Sequence, residues 1–262
     1  MSARGAVALP FGPHWSGTRE IPGVATCRPD VLHRLTGALK ATFAARAIAL
    51  VTGDTGAGKT FMVARAVERL LGQRGEPFAL SWLEFSDWAR GALLLRELRE
   101  QFCADGLSRR LDTGELRRDL RRVLGEIPRL LVLDEAQHVS PASLLMLAKL
   151  LDHADTDFAL AVVATPAIWR RYPPELRSRT YLPVGIDALA DDEVVGVLGA
   201  YHPVFVTAEP ARLVTLNRTE ARGMYRWWAQ FLALWWQGRG AFGDELTDDV
   251  CSGIADVLAG RS

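Results

Sequence analysis

The sequence predicts an α/β fold: a parallel β-sheet covered by helices on both faces and followed by a small helical subdomain. Three observations carry this. Five short apolar runs alternate with stretches of helical spacing, a glycine-rich loop lies between the first run and a helix, and no strand pattern follows Val184.

The runs are AIALVT at 47–52, FALSWLEF at 78–85, RLLVLD at 129–134, FALAVVA at 158–164 and TYLPV at 180–184. They are continuous rather than alternating, which is what strands need when both faces of their sheet are covered. The helical stretches between them supply the crossovers that parallel strands require. Ahead of the first run, Pro29 and Asp30 open a helical pattern through Val31, Leu32, Leu35, Leu39 and Phe43. Residues 1–29, with Pro10, Pro13, Pro22 and several glycines, read as an irregular N-terminal arm. The αβα core is therefore expected at 30–185. A helical lid is expected at 186–262, with segments near 191–201, 208–216, 219–237 and 244–259.

The 262 residues are 49% apolar and 24% charged, enough to bury a substantial core and unlike a disordered chain. The formal net charge is zero, so attraction to nucleic acid or an anionic membrane must come from a local patch. Three widely spaced cysteines without a CxxC pair fit neither a disulfide framework nor a zinc site. With no leader pattern or long apolar run, a cytoplasmic protein with no membrane partner is expected.

The loop GDTGAGKT at 53–60 fits G-x-x-x-x-G-K-[ST] between a strand and the helix FMVARAVERLL. Its glycines, Gly53, Gly56 and Gly58, let the backbone of Asp54, Thr55 and Ala57 fold around phosphates, so that amides of Gly56 to Thr60 point at them. Phe61 continues the helix whose dipole favours the same anions. Lys59 should reach the β and γ phosphates of ATP, and Thr60 should ligate Mg²⁺.

RLLVLDEAQHVS ends a buried strand in two adjacent carboxylates. In that arrangement Asp134 holds Mg²⁺ and Glu135 orients and deprotonates the attacking water. The glutamate argues against a small-molecule P-loop kinase. DEAQH resembles the DEAH box of helicases, but those need two sheet domains and this chain has room for one. Gln137 and His138 can sense the γ-phosphate or satisfy hydrogen bonds of the loop.

Together these motifs resemble the AAA+ ATPases from about residue 30 onward. The resemblance implies a γ-phosphate sensor at the end of the fourth strand, Thr165 in VVATP. It implies an arginine finger in PELRSRTYLPV, Arg179 with Arg177 as fallback, projecting into the ATP of a neighbouring subunit. In ARGMYRWW it implies an ATP-contacting second sensor, Arg226, with Arg222 behind it.

Small size, DEAQH, a short lid and the lack of a DNA-reading domain after it are similar to the transposition regulators of the MuB, TnsC and TniB group. Such proteins assemble on double-stranded DNA with ATP as homo-oligomers and stimulate a DDE-type transposase. A DNA-facing surface is then expected, and SRRLDTGELRRDLRR at 108–122 is the one basic cluster, with Arg109, Arg110, Arg117, Arg118, Arg121 and Arg122. Arg117 with Arg121, and Arg118 with Arg122, fall one helical turn apart and can track phosphates. Asp112, Glu115 and Asp119 interleave with them and can instead make an ordinary solvated helix. Trp227, Trp228, Phe231, Trp235 and Trp236 recur at helical spacing, as lid core or as an interface. The rival functions are another AAA+ role (clamp or helicase loader, initiator-like, secretion-associated) and an ATP-binding signalling scaffold with little turnover.

Overall fold

The structure is a computed structural model that describes residues 21–25, 28–73, 78–85, 91–102, 112–168 and 172–261. The chain divides into two compact units. One contains Leu32–Thr52 and Lys59–Gly185; the other contains Gly53–Gly58, Ile186–Ser262 and the described residues before Leu32.

In the first unit, α1 (Pro29–Ala44, begun in the other unit), β1 (Ile48–Thr52), α2 (Lys59–Gln73), β2 (Ala79–Glu84), α3 (Gly91–Phe102) and α4 (Thr113–Glu126) come first. They are followed by β3 (Arg129–Asp134), α5 (Pro141–Leu151), β4 (Phe158–Ala164), α6 (Pro174–Arg177) and β5 (Thr180–Gly185). The five apolar runs are the five strands. They form one parallel sheet in the order β2-β3-β4-β1-β5 with flanking helices. The central strand β4 is buried along its whole length, which is why FALAVVA carries no polar residue.

Because every pairing is parallel, all carboxyl ends lie at one edge of the sheet. Register sets neighbours there: Glu84 pairs with Asp134, and Thr52 with Ala164. Local chemistry fixes the helix starts. Asp112 and Glu115 form a reciprocal capping box at α4, and Ser140 caps α5 with Pro141 in its first turn.

The second unit holds α7 (Val194–Tyr201), a 3₁₀ turn (Pro203–Thr207), α8 (Pro210–Leu216), a π turn (Asn217–Ala221), α9 (Tyr225–Phe242) and α10 (Asp248–Leu258). Its core is built on Trp228, Phe231, Leu232 and Trp235 of α9, packed with Phe205, Leu213, Cys251 and Ile254. The tryptophan repeat is thus largely core, while Trp236 is partly buried beneath the guanidinium of Arg239. Ile21 joins this core, and the Ala25 N–H donates to the Tyr201 carbonyl at 2.9 Å.

The helix expected from 219 starts six residues later, at Tyr225, and runs on to Phe242. The cause is a left-handed break at Arg222 (φ 50°) and Gly223 (φ 74°). There the Gly223 carbonyl accepts from the Leu189 N–H at 2.9 Å. Buried Asn217 fixes the break from below, donating to the Leu189 carbonyl at 2.9 Å and accepting from the Trp228 indole at 3.2 Å. A Cβ on Gly223 would stand 2.8 Å from the Ala188 Cβ and 2.9 Å from the Leu189 oxygen. Gly223→Ala is therefore expected to destabilise the protein by about 2–4 kcal/mol, read as a lowered urea midpoint.

Of the cysteines, Cys251 is a buried free thiol, whereas Cys27 and Cys103 lie outside the described residues. Among the described residues no helix is long and apolar enough to cross a membrane.

Candidate functional site

The glycine-rich segment joins β1 to α2. Within it the Ala57 N–H donates to the Asp54 carbonyl at 3.1 Å, closing a turn. Gly56 (φ 87°) and Gly58 (φ 88°) occupy conformations that side chains rarely adopt, so these two glycines are required by the backbone itself. In the same unit, the Arg226 N–H donates to the Gly56 carbonyl at 3.1 Å, and the Tyr225 ring carbons come within 3.9 Å of where a Gly58 Cβ would be. The start of α9 thus braces the glycine-rich loop. The side chain of Arg226 is exposed, as is that of Arg222.

In the sheet-bearing unit, Lys59 opens α2 and is only 5% exposed. Thr60 follows, and Phe61 is half-buried with Arg65 lying over its ring. The Thr60 side chain hydrogen-bonds Asp134, the last residue of β3. Asp134 is 1% exposed, and its Oδ1 also accepts the Glu135 N–H at 2.9 Å. Burial pushes its carboxyl up to about 6; the two hydrogen bonds oppose that, and the neighbouring carboxylates Glu135 and Glu84 add to it. Both of these neighbouring charges are negative.

Glu135 is in the left-handed region (φ 50°, ψ 37°), a cost of about 1 kcal/mol for a residue with a side chain. That turn swings it out of the strand while Asp134 stays in. Its carboxylate accepts from the side-chain amide of Gln137, whose Oε1 accepts the Thr165 N–H at 3.2 Å. Thr165, directly after β4, is thereby brought to the same edge as Asp134 and Glu135. His138 contributes its backbone N–H to the Glu135 carbonyl at 2.9 Å, closing the 3₁₀ turn.

Not every expected residue joins this cluster. Arg179, just before β5, is engaged with Asp152: its Nε lies 3.0 Å from both carboxylate oxygens and its guanidinium also donates to the Glu175 carbonyl. The Asp152 carboxyl is held below its ordinary value by this hydrogen-bonded guanidinium. Arg177, at the end of α6, is the neighbouring candidate.

The expected basic stripe lies on α4, with Arg109 and Arg110 outside the described residues. Arg117 and Arg118 are exposed, Arg121 is half-buried, and Arg122 pairs with Glu126 at 2.6 Å. The acids expected to neutralise the stripe are engaged elsewhere. Asp112 and Glu115 cap the helix, and Asp119 pairs with Arg99 of α3 at 3.0 Å. Arg117 also reaches the Met146 sulfur at 3.5 Å.

Two features escape a reading of the sequence alone. Glu84 reads only as part of a strand; its signal is a lone carboxylate near the carboxyl end of an apolar parallel strand, level with Asp134. The span of Gln137 from Glu135 to Thr165 has no signal in its spacing, because it depends on β4 lying next to β3.

Residues 44–172 match a family model described as AAA domain. None of the curated proteins matches the chain. Among solved structures, the Aeropyrum pernix ORC1 protein in complex with DNA superposes with a TM-score of 0.70 at 15% identity, over 94% of this chain and 69% of that one. The ADP form of the Aeropyrum pernix ORC2 protein gives 0.64 at 16% identity, over 90% and 69%. Cdc6p from Pyrobaculum aerophilum gives 0.64 at 18%, over 81% and 62%. At such identities the likeness establishes the fold, which is that of an AAA+ P-loop NTPase.

Proposed function

We propose that the protein hydrolyses ATP with Mg²⁺ and uses the bound nucleotide to control its assembly on duplex DNA. The observation that carries the first half is the hydrogen bond from Thr60 to Asp134. It joins the hydroxyl of the phosphate loop to the carboxylate of the buried strand, the pair that a nucleotide-bound Mg²⁺ needs.

The donor set suits that ion. Asp134 is buried beside Glu84 and Glu135 with its carboxyl raised to about 6, so a dication relieves a concentration of negative charge. When bound, it would neutralise charge on the phosphate oxygens. The chain's own residues do the rest: amides of Gly56 to Thr60 cradle the phosphates, Lys59 offsets the β and γ charges, and Glu135 takes the proton of the attacking water. Thr165 and Arg226 are assigned as γ-phosphate and nucleotide sensors.

Arg179 is assigned as the finger supplied to a neighbouring copy in an ATP-bound homo-oligomer. Its pairing with Asp152 is at the surface, where such pairs contribute up to about 1 kcal/mol, so exchange onto a phosphate is inexpensive. Hydrolysis is tested with Glu135→Gln, which should bind ATP as wild type does while turnover falls by about 100-fold or more; equal turnover would remove Glu135 from the reaction.

The DNA half is supported by the exposure of Arg117 and Arg118 and by the engagement of their neighbouring acids elsewhere. Arg117→Glu combined with Arg118→Glu should weaken duplex binding about 10-fold or more. The slope of log affinity against log salt should flatten by about 1 for each phosphate that is no longer neutralised. An unchanged slope would remove α4 from the interface.

Two roles for such a switch are open to experiment. In the transposition reading it marks DNA without a fixed sequence, and a DDE-type transposase accelerates its hydrolysis. The initiator-like reading is favoured by the likeness to a protein in complex with DNA and requires preference for a defined site. Competition between random and genomic duplexes separates them.

A further inference from the structure

The side chain of Gln137 lies between Glu135, the residue read as the hydrolytic base, and Thr165. Its amide has two ends with different chemistry, and the partners dictate which faces which. A carboxylate only accepts, so the NH₂ end must face Glu135; a backbone N–H only donates, so the oxygen must face Thr165. One orientation satisfies both, and it joins the residue after β3 to the residue after β4. The side chain is partly buried, where such hydrogen bonds are stronger than in water. Glu135 itself is in the left-handed region, which fixes the direction in which its side chain leaves the backbone.

We infer that Gln137 is the positioning residue of the hydrolytic step, tying the direction of the Glu135 carboxylate to the position of Thr165. This rests on the reading of Glu135 as the base. With the bond made, the carboxylate is directed along the turn toward Gln137, and one oxygen is occupied by the amide. Displacement of Thr165 by a γ-phosphate pulls on the Gln137 oxygen and so shifts the amide that holds the base.

Glutamine and glutamate have nearly the same shape, which makes Gln137→Glu the informative variant. It keeps an acceptor for the Thr165 N–H and replaces the donor facing Glu135 by a second negative charge. Gln137→Ala removes both hydrogen bonds. Gln137→Asn keeps the amide but is one methylene too short to span both partners.

The test measures steady-state ATP hydrolysis alongside binding of a fluorescent ATP analogue, for wild type and the three variants. The expected result is a fall in kcat of about 10-fold or more for Gln137→Glu with analogue affinity within about twofold of wild type. Gln137→Ala and Gln137→Asn should likewise lose kcat while keeping analogue affinity. Wild-type kcat in Gln137→Glu would overturn the inference, as would parallel loss of analogue binding and turnover in all three. A wild-type protein that binds the analogue without hydrolysing it would instead overturn the reading of Glu135 as base, and the positioning role with it.

Discussion

Lys59→Ala is expected to weaken ATP binding by about 100-fold or more and to bring hydrolysis to background. Charge-assisted hydrogen bonds contribute about 1.5–3 kcal/mol each, and a lysine between two phosphate groups makes more than one. The backbone reinforces this. Gly58, at φ 88°, turns the chain so that Lys59 opens α2, and the residue is only 5% exposed. A solvated lysine would reach the phosphates only by losing rotamer freedom, whereas a buried one is already confined. Isothermal titration with ATP and Mg²⁺ gives the binding loss directly. Unchanged affinity would mean that the loop cradles phosphate through its amides alone.

The second large effect is a trade of stability for function at Asp134. Its carboxyl is raised from 3.8 to about 6, chiefly by burial, so the folded protein holds this proton more tightly than the unfolded chain does. Below the ordinary value the acid is neutral in both states and costs nothing. As pH rises through the interval up to about 6, the unfolded state ionises first and stability falls; above it the full deficit remains. Asp134→Asn keeps an oxygen for the Glu135 N–H and removes the charge. It should therefore stabilise the nucleotide-free protein by about 1–3 kcal/mol at neutral pH, and by progressively less toward pH 4. The same variant should lose Mg²⁺-dependent hydrolysis by about 100-fold or more, since an amide is a poor ligand for a hard cation. Urea midpoints across pH check the first effect, and a destabilised Asn variant would contradict it.

These effects show what the sequence makes legible. The strands are readable because burial on both faces leaves continuous apolar runs, and RLLVLD and FALAVVA match their strands residue for residue. The Thr60 and Asp134 pairing is readable because each sits in a motif whose spacing reflects its chemistry. Residues defined by tertiary neighbours are harder. Helical spacing misplaces the start of α9 because Arg222 and Gly223 turn left-handed, and Gly223 and Asn217 hydrogen-bond Leu189, far back in the sequence. Glu84 and the span of Gln137 depend on strand register, which no local pattern records. On α4 the acids are visible but their partners are not: Asp119 looks outward in sequence and pairs with Arg99 in space.

The measurement that bears most directly on the central claim is fluorescence anisotropy of a labelled random duplex, titrated with protein in ATP, ADP or no nucleotide across a salt series. Wild type, Lys59→Ala and Glu135→Gln are compared. A nucleotide-controlled switch on DNA predicts binding that requires ATP, is lost in Lys59→Ala, persists in Glu135→Gln and weakens steeply with salt. Absence of duplex binding in every nucleotide state would contradict it, leaving an ATPase with no DNA switch.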